Sequence, residues 1–230
     1  MRLQVLLSAM NLKNEGYIDT LNITSDAVVV NQTGSSGPGG GGTKKASGGP
    51  GGILSIERIR RENLRGERQE VVFIESSERG LSRSRNMAIA NASAEICILC
   101  DNDVEYVSGY DRLILNAFEE NGDADVIVFF IKRKERSVPV FSDRRRMGYL
   151  SVLKIFSPEI AFRRESIRDI SFHPLFGAGA KYCMGEENLF LYDCLKKGKK
   201  IIYAPVMIAE LREEESSWFR GYDKNFFISR

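Results

Sequence analysis

The stretch Ile96-Cys97-Ile98-Leu99-Cys100-Asp101-Asn102-Asp103 is an unbroken apolar run that stops on two carboxylates. A short run without polar alternation reads as a strand buried on both faces of a parallel sheet. Such a strand ends at the crevice outside the carboxyl edge of the sheet, where open α/β sheets take their ligands. Hard oxygen donors at that point, Asp101 and Asp103, suit Mg²⁺ or Mn²⁺ held against a diphosphate. Asp-X-Asp alone reads equally well as a solvated turn, so the neighbouring sequence has to separate the two.

Just upstream, Arg79-Gly80-Leu81-Ser82-Arg83-Ser84-Arg85-Asn86 runs into the helical stretch Met87-Ala88-Ile89-Ala90-Asn91-Ala92. Cations at a helix N-terminus oppose the helix dipole unless an anion neutralises them. Ser82 or Ser84 as the cap, with Arg79, Arg83 and Arg85 beside it, therefore reads as an anion site. The competing reading is a solvated basic first turn.

Working outward, apolar runs predict strands over residues 3–7, 27–30, 71–74, 96–99, 126–131 and 201–203. Between them, helical spacing predicts helices over 54–64, 84–91, 111–120, 163–170 and 187–197, the last stopping at Gly198. Strands alternating with helices argue for an α/β class fold with a mainly parallel central sheet. The 230 residues suit one large domain of that kind.

The run from Glu78 to Asp103 resembles the nucleotide-sugar half of a family 2 glycosyltransferase of the GT-A fold, of the bacterial polysaccharide type. A second block agrees: Phe176-Gly177-Ala178-Gly179-Ala180, then Gly185-Glu186-Glu187-Asn188, then Lys199-Lys200-Ile201-Ile202-Tyr203-Ala204-Pro205. It is similar to that family's acceptor-side loop, the acidic pair that opens a helix, and the strand after it. The resemblance implies a GT-A α/β/α sandwich, with residues 1–105 as the nucleotide-sugar half and 106–230 as the acceptor half. It implies inverting, metal-assisted transfer of a sugar from a nucleotide sugar, a UDP-sugar in the first place, to a glycan or lipid-linked acceptor.

Carried onto this chain, the resemblance puts base and ribose near Ser8, Met10 and Asn11 and across Val30-Asn31-Gln32, with Asp26 as a further contact or a simple turn residue. Asn and Gln amides suit a uracil edge because they both donate and accept. Arg79, Ser82, Arg85, Asn86 and Asp101 complete the nucleotide set. Asp103 is the metal ligand, with Asp101 on the ribose or on a metal-bound water; Asn102 stands where an acid is often found. The histidine that many members carry after the last core strand is absent from Val206-Met207-Ile208-Ala209-Glu210-Leu211-Arg212, which leaves Glu210 or water as the third Mg²⁺ or Mn²⁺ ligand. Glu187 takes the place of the catalytic base, where aspartate is commoner, and Glu186 orients the acceptor. Without the resemblance, the pair reads as acids complementing a helix dipole.

Other classes remain as alternatives. A sugar nucleotidyltransferase needs a glycine-rich basic loop after the first strand, where this chain has Ser8-Ala9-Met10-Asn11. A non-catalytic nucleotide-sugar or glycan-binding module would keep the fold with a degenerate site. With 33 Lys+Arg against 31 Asp+Glu, the overall charge balance gives no argument for nucleic acid. Met1 to Met10 is too short an apolar run for a signal peptide, which leads to the expectation of a cytoplasmic protein, peripheral at the inner face of the membrane at most. Cys97 and Cys100 have C-x-x-C spacing inside a strand, where small buried hydrophobes are expected rather than a redox or zinc pair. His173, the only histidine, reads as structural or acceptor-facing.

Residues 33–52 hold ten of the 21 glycines and read as a flexible insertion. The basic clusters Lys132-Arg133-Lys134-Glu135-Arg136 and Asp143-Arg144-Arg145-Arg146 face either a phosphorylated lipid or membrane surface, or only solvent. The tail from Glu213 to Tyr222 is similar to the loop that closes over the donor, with Trp218 as a stacking residue. Relatives commonly continue past Arg230, which leaves open whether the chain is truncated there.

Overall fold

Leu3–Met10 (β1) turns Leu3, Val5, Leu7 and Ala9 to one side and Leu6 to the other, and every one of them is buried. Ile96–Asp101 (β5) does the same, with Ile96, Ile98 and Cys100 on one side and Cys97 and Leu99 on the other. Period-2 burial on both faces is what places these strands at the centre of the sheet. The two cysteines consequently point to opposite faces as free buried thiols, and burial pushes the Cys97 thiol up to about 12.

The structure is a computed structural model that describes residues 1–33 and 52–212. Apart from Thr33 and Gly52, the glycine-rich segment lies outside the described residues, as does the tail bearing Trp218. The remaining strands are β2 (Asp26–Gln32), β3 (Ile53–Glu62), β4 (Arg68–Ser76), β6 (Val104–Tyr106), β7 (Val126–Lys132), β8 (Arg145–Arg146), β9 (Ile160–Arg163) and β10 (Ile201–Leu211). They form one sheet in the order β3-β4-β2-β1-β5-β9-β7-β10-β6, with β8 on β10. Six of the ten strands (β1, β2, β4, β5, β7 and β10) run the same way, and β9 is inserted antiparallel between β5 and β7.

Helices cover both faces. α1 (Tyr17–Thr20) and α3 (Tyr110–Glu120) share a core with the odd-numbered β1 residues; α3 buries Tyr110, Ile114, Ala117 and Phe118, one stripe at helical spacing. On the opposite face α2 (Leu81–Asn91) contributes Ala88, and α4 (Glu186–Lys196) contributes Phe190, Leu191 and Cys194. The result is the α/β/α sandwich with a mainly parallel sheet.

Two predicted helices are absent. Most of residues 54–64 instead belong to β3, the edge strand antiparallel to β4. Ile53, Ile56 and Ile59 fall at helical spacing, but Leu54 and Ile56 are 44% exposed and charged residues fill the outer positions, as on an edge blunted by charge. The strand turns back at Asn63, whose side-chain carbonyl accepts the Arg65 and Glu67 N–H groups at 2.8 and 3.0 Å. Residues 163–170 begin as the last residue of β9 and continue only as a 3₁₀ turn, Arg164–Ile167. The short strands β6, β8 and β9 give no signal of their own in the sequence.

The chain order fixes the crevice. From β1 the sheet grows outward through β2 and β4, and α2 then carries the chain back across β1 to β5 on its other side. The carboxyl ends of β1 and β5 therefore flank a topological switch point, where ligands of open α/β sheets bind.

Candidate active site

A cleft of about 230 Å³ opens at this switch point. Ser8, Met10 and Asn11 line it from the end of β1, Gln32 from the end of β2, and Asp101 and Asn102 from the end of β5. Asn11 ends β1 with φ 55°, a left-handed conformation that asparagine tolerates better than most residues. Ser84 Oγ donates to Ser8 Oγ at 2.8 Å, which ties the first turn of α2 to the cleft floor. Arg79 Nη1 lies 3.2 Å from Sδ of Met10, one of the lining residues.

Several expected nucleotide contacts have other employment. Asn31 is fully buried; its amide accepts from Leu12 N at 2.8 Å and donates to Leu12 O at 3.0 Å, so it clamps the loop after β1. Its neighbour Gln32 is the β2 residue in the cleft. Asp26 sits at the amino end of β2, away from the cleft, and accepts the Glu70 N–H. Neither serine caps α2, which starts at Gly80 with no side-chain cap; Ser82 Oγ donates instead to Phe176 O at 2.7 Å. Asn86 donates to Phe172 O and accepts from Phe172 N, both at 2.8 Å. Hydroxyls and amides are here used to dock the loop over residues 172–178, and Leu81 N adds a bond to Ala178 O at 2.9 Å. The two sequence blocks, nearly a hundred residues apart, are thus fastened together at the start of α2.

Arg85 is the centre of that junction. The side chain is 1% exposed, with Nη1 donating to Glu186 Oε1 at 2.8 Å and Nη2 to Asp101 Oδ1 at 3.1 Å. Burial works against its charge, but the Asp101 and Glu186 carboxylates outweigh that and raise its pKa. Of the expected three-arginine anion site, Arg85 is engaged by acids, Arg83 pairs with Glu78 at 3.3 Å, and Arg79 Nη1 lies against Met10 Sδ.

Glu186 and Glu187 open α4 after Gly185. Glu186 is buried under Gly177, whose φ of +97° and distance from Glu186 leave no room for a side chain; a Cβ would lie 3.2 Å from the carboxyl carbon. The change Gly177→Ala is expected to cost about 1–3 kcal/mol in backbone strain alone, seen as a lowered thermal midpoint. Glu187 is half-buried. Desolvation and the adjacent Glu186 carboxylate push it up to about 7, against a smaller downward pull from Arg85. A carboxylate whose pKa lies near 7 is suited to accept a proton.

The expected metal set is not gathered. Among the described residues no three of His, Cys, Asp and Glu are grouped to hold an ion. Glu210 lies across from Glu105 on the β10–β6 ladder, and its carboxylate accepts from Lys132 Nζ at 3.1 Å. What remains at the turn is two hard donors, Asp101 and Asp103. They are the residues that would hold Mg²⁺ or Mn²⁺, in the mode where one or two carboxylates bind the ion and substrate phosphates and water complete its shell. Tyr17 OH donates to Asn102 O at 2.9 Å and Arg212 N to Asp103 O at 2.8 Å, so α1 and the end of β10 fix the turn. Tyr17 is 85 residues from Asn102, and nothing in the sequence marks it for this role. His173 is exposed and sits edge-on to Phe176 at 5.4 Å.

The family model of glycosyl transferase family 2 matches residues 57–180, more than half of the chain. The chain belongs to glycosyl transferase family 2. No curated protein matches. Among solved structures, S. aureus TarS 1–349 is 15% identical with a TM-score of 0.60, covering 92% of this chain and 60% of that one. Its complex with UDP gives the same identity and coverage at 0.61. The complex with UDP-GlcNAc gives 0.62 over 100% of this chain and 64% of that one. At this identity the likeness speaks for the fold, which is that of a GT-A family 2 glycosyltransferase. The chain spans about 60% of the length of those structures.

Proposed function

We propose that this family 2 protein is an inverting glycosyltransferase that moves a sugar from a UDP-sugar to a hydroxyl of a glycan or lipid-linked acceptor. The observation that carries the reading is the Asp101–Arg85–Glu186 bridge, which holds the Asp101 carboxylate of the cleft within one guanidinium of the acidic pair on α4. The choice of UDP draws support from the similar fold of TarS, solved with UDP and with UDP-GlcNAc.

In this reading Ser8, Met10, Asn11 and Gln32 receive the nucleoside, and the diphosphate lies toward Asp101, Asp103 and Arg79. Mg²⁺ or Mn²⁺ held by Asp103 and Asp101 would neutralise the charge that develops on the leaving diphosphate. Glu187 accepts the proton of the acceptor hydroxyl as that oxygen bonds to the anomeric carbon and the carbon–oxygen bond to the diphosphate breaks, releasing UDP. Glu186, locked by Arg85, keeps the first turn of α4 in place and raises the proton affinity of Glu187.

Calorimetric titration of UDP with and without Mn²⁺, on the parent chain and on Asp103→Ala, tests the donor side. Metal-dependent binding that is lost in the variant is the expected result. Equal binding by both proteins would remove the diphosphate from this turn.

A further inference from the structure

The segment from Lys132 to Lys154 carries eight Lys and Arg against two acids, in a chain whose net charge is only +2. Three of these cations are spent inside the protein: Lys132 on Glu210, Arg136 on Glu159 and Arg144 on Glu120. Lys134, Arg145 and Lys154 are exposed and make no ion pair among the described residues. The same segment holds Val138, Tyr149, Leu150 and Leu153, each at least half exposed, with Leu150 at 82%.

These apolar side chains do not face outward because the segment is loose. Met147, Val152 and Ile155 are buried beneath them, Tyr149 stands edge-on to Tyr192 of α4 at 5.3 Å, and Asn188 Nδ2 donates to Val152 O at 3.4 Å. The backbone is therefore pinned to α4, and the segment divides into buried anchoring positions and exposed apolar positions interspersed in sequence with exposed cations. Isolated exposed hydrophobes are ordinary, but four within one strongly cationic segment mark an interaction surface.

We propose that this segment is a docking surface for an anionic lipid bilayer, with Leu150 and Leu153 entering the headgroup boundary and Lys134, Arg145 and Lys154 meeting lipid phosphates. Charge complementarity selects an anionic partner, and the projecting leucines select a bilayer over a soluble polyanion, which offers nothing apolar to bury them. Among the described residues no helix is long and apolar enough to cross a membrane. Asn188 directly follows Glu187, so the docked bilayer lies against the first turn of α4. That consequence rests on Glu187 as the base and brings a lipid-linked acceptor to its side of the cleft.

The test is co-sedimentation of the full chain with phosphatidylcholine vesicles, with and without phosphatidylglycerol, at low and high salt. Binding to the anionic vesicles alone, weakened by salt, is expected. Leu150→Ser with Leu153→Ser should weaken it by at least about tenfold, from the loss of buried side chains. Arg145→Gln and Lys154→Gln should each weaken it by about fivefold. No binding at low salt, or binding indifferent to the leucine pair, overturns the proposal. Binding to a soluble polyphosphate but not to vesicles also overturns it and reassigns the surface to a polyanion. The UDP titration is independent of each of these results, so failure of the surface and failure of the donor site are distinguishable.

Discussion

Replacing Glu187 by Gln is expected to lower sugar transfer by about 10²–10⁴-fold while leaving UDP binding in place. The substitution keeps the size of the side chain and its position at the start of α4, and removes only the capacity to take a proton. In the parent protein Glu187 is pushed up to about 7, chiefly by burial and then by the Glu186 carboxylate. Transfer should therefore rise by about tenfold per pH unit below that value and level off above it, as the base loses its proton. The profile is read from initial rates at saturating donor, and Glu187→Gln should flatten this limb. An indifferent response would favour a binding module that retains the fold without turnover.

The same group predicts an opposite effect on stability. Its pKa in the folded chain is raised from 4.5 to about 7, so between these values the folded state keeps a proton that the unfolded state has released. Stability from this group is therefore present below about 4.5 and is lost as pH rises through about 7. Glu187→Gln should accordingly melt higher than the parent at pH 8, with the difference vanishing at acid pH. Loss of activity together with a gain in alkaline stability separates a strained base from a carboxylate that merely caps a helix.

Much of the fold was legible because the central strands are buried on both faces and so read as unbroken apolar runs. All six runs found in the sequence are strands of the sheet, and Asp101, Ser8, Met10 and Asn11 reach the cleft because strand ends at a switch point must. Elements whose character comes from their neighbours were not legible. β3 needs β4 beside it to be a strand, and its isoleucines imitate a helix face. β9 is four residues that become a strand only between β5 and β7. The same limit applies to polar side chains: the identity of Asn31, Asn86 and Ser82 suggests ligand contacts, but Leu12, Phe172 and Phe176, distant in sequence, claim their hydrogen bonds. The basic helix start of α2 reads in the sequence as an anion site. For Arg85 the anions are instead the protein's own carboxylates.

Arg85→Met is expected to destabilise the chain by about 3–5 kcal/mol, because it strands the buried Glu186 carboxylate without its partner. In a chain of this size that corresponds to a fall in thermal midpoint of roughly 10 °C. The loss belongs to the uncompensated charge rather than to the missing contacts. Glu186→Gln in the Arg85→Met background should therefore recover part of it, giving a coupling that a double-mutant cycle measures. Arg85→Lys separates stability from geometry: it restores a cation but not the planar fork that reaches Glu186 and Asp101 at once. It should fold better than Arg85→Met yet transfer sugar poorly. Because Arg85 pulls the Glu187 pKa down, weakening that pull should also move the midpoint of the pH–rate limb upward. If Arg85 served only to hold the fold, stability would recover in the lysine variant with the rate and its midpoint unchanged. A shifted midpoint in a stably folded variant instead makes Arg85 the residue through which the donor carboxylates and the acceptor base are set relative to each other.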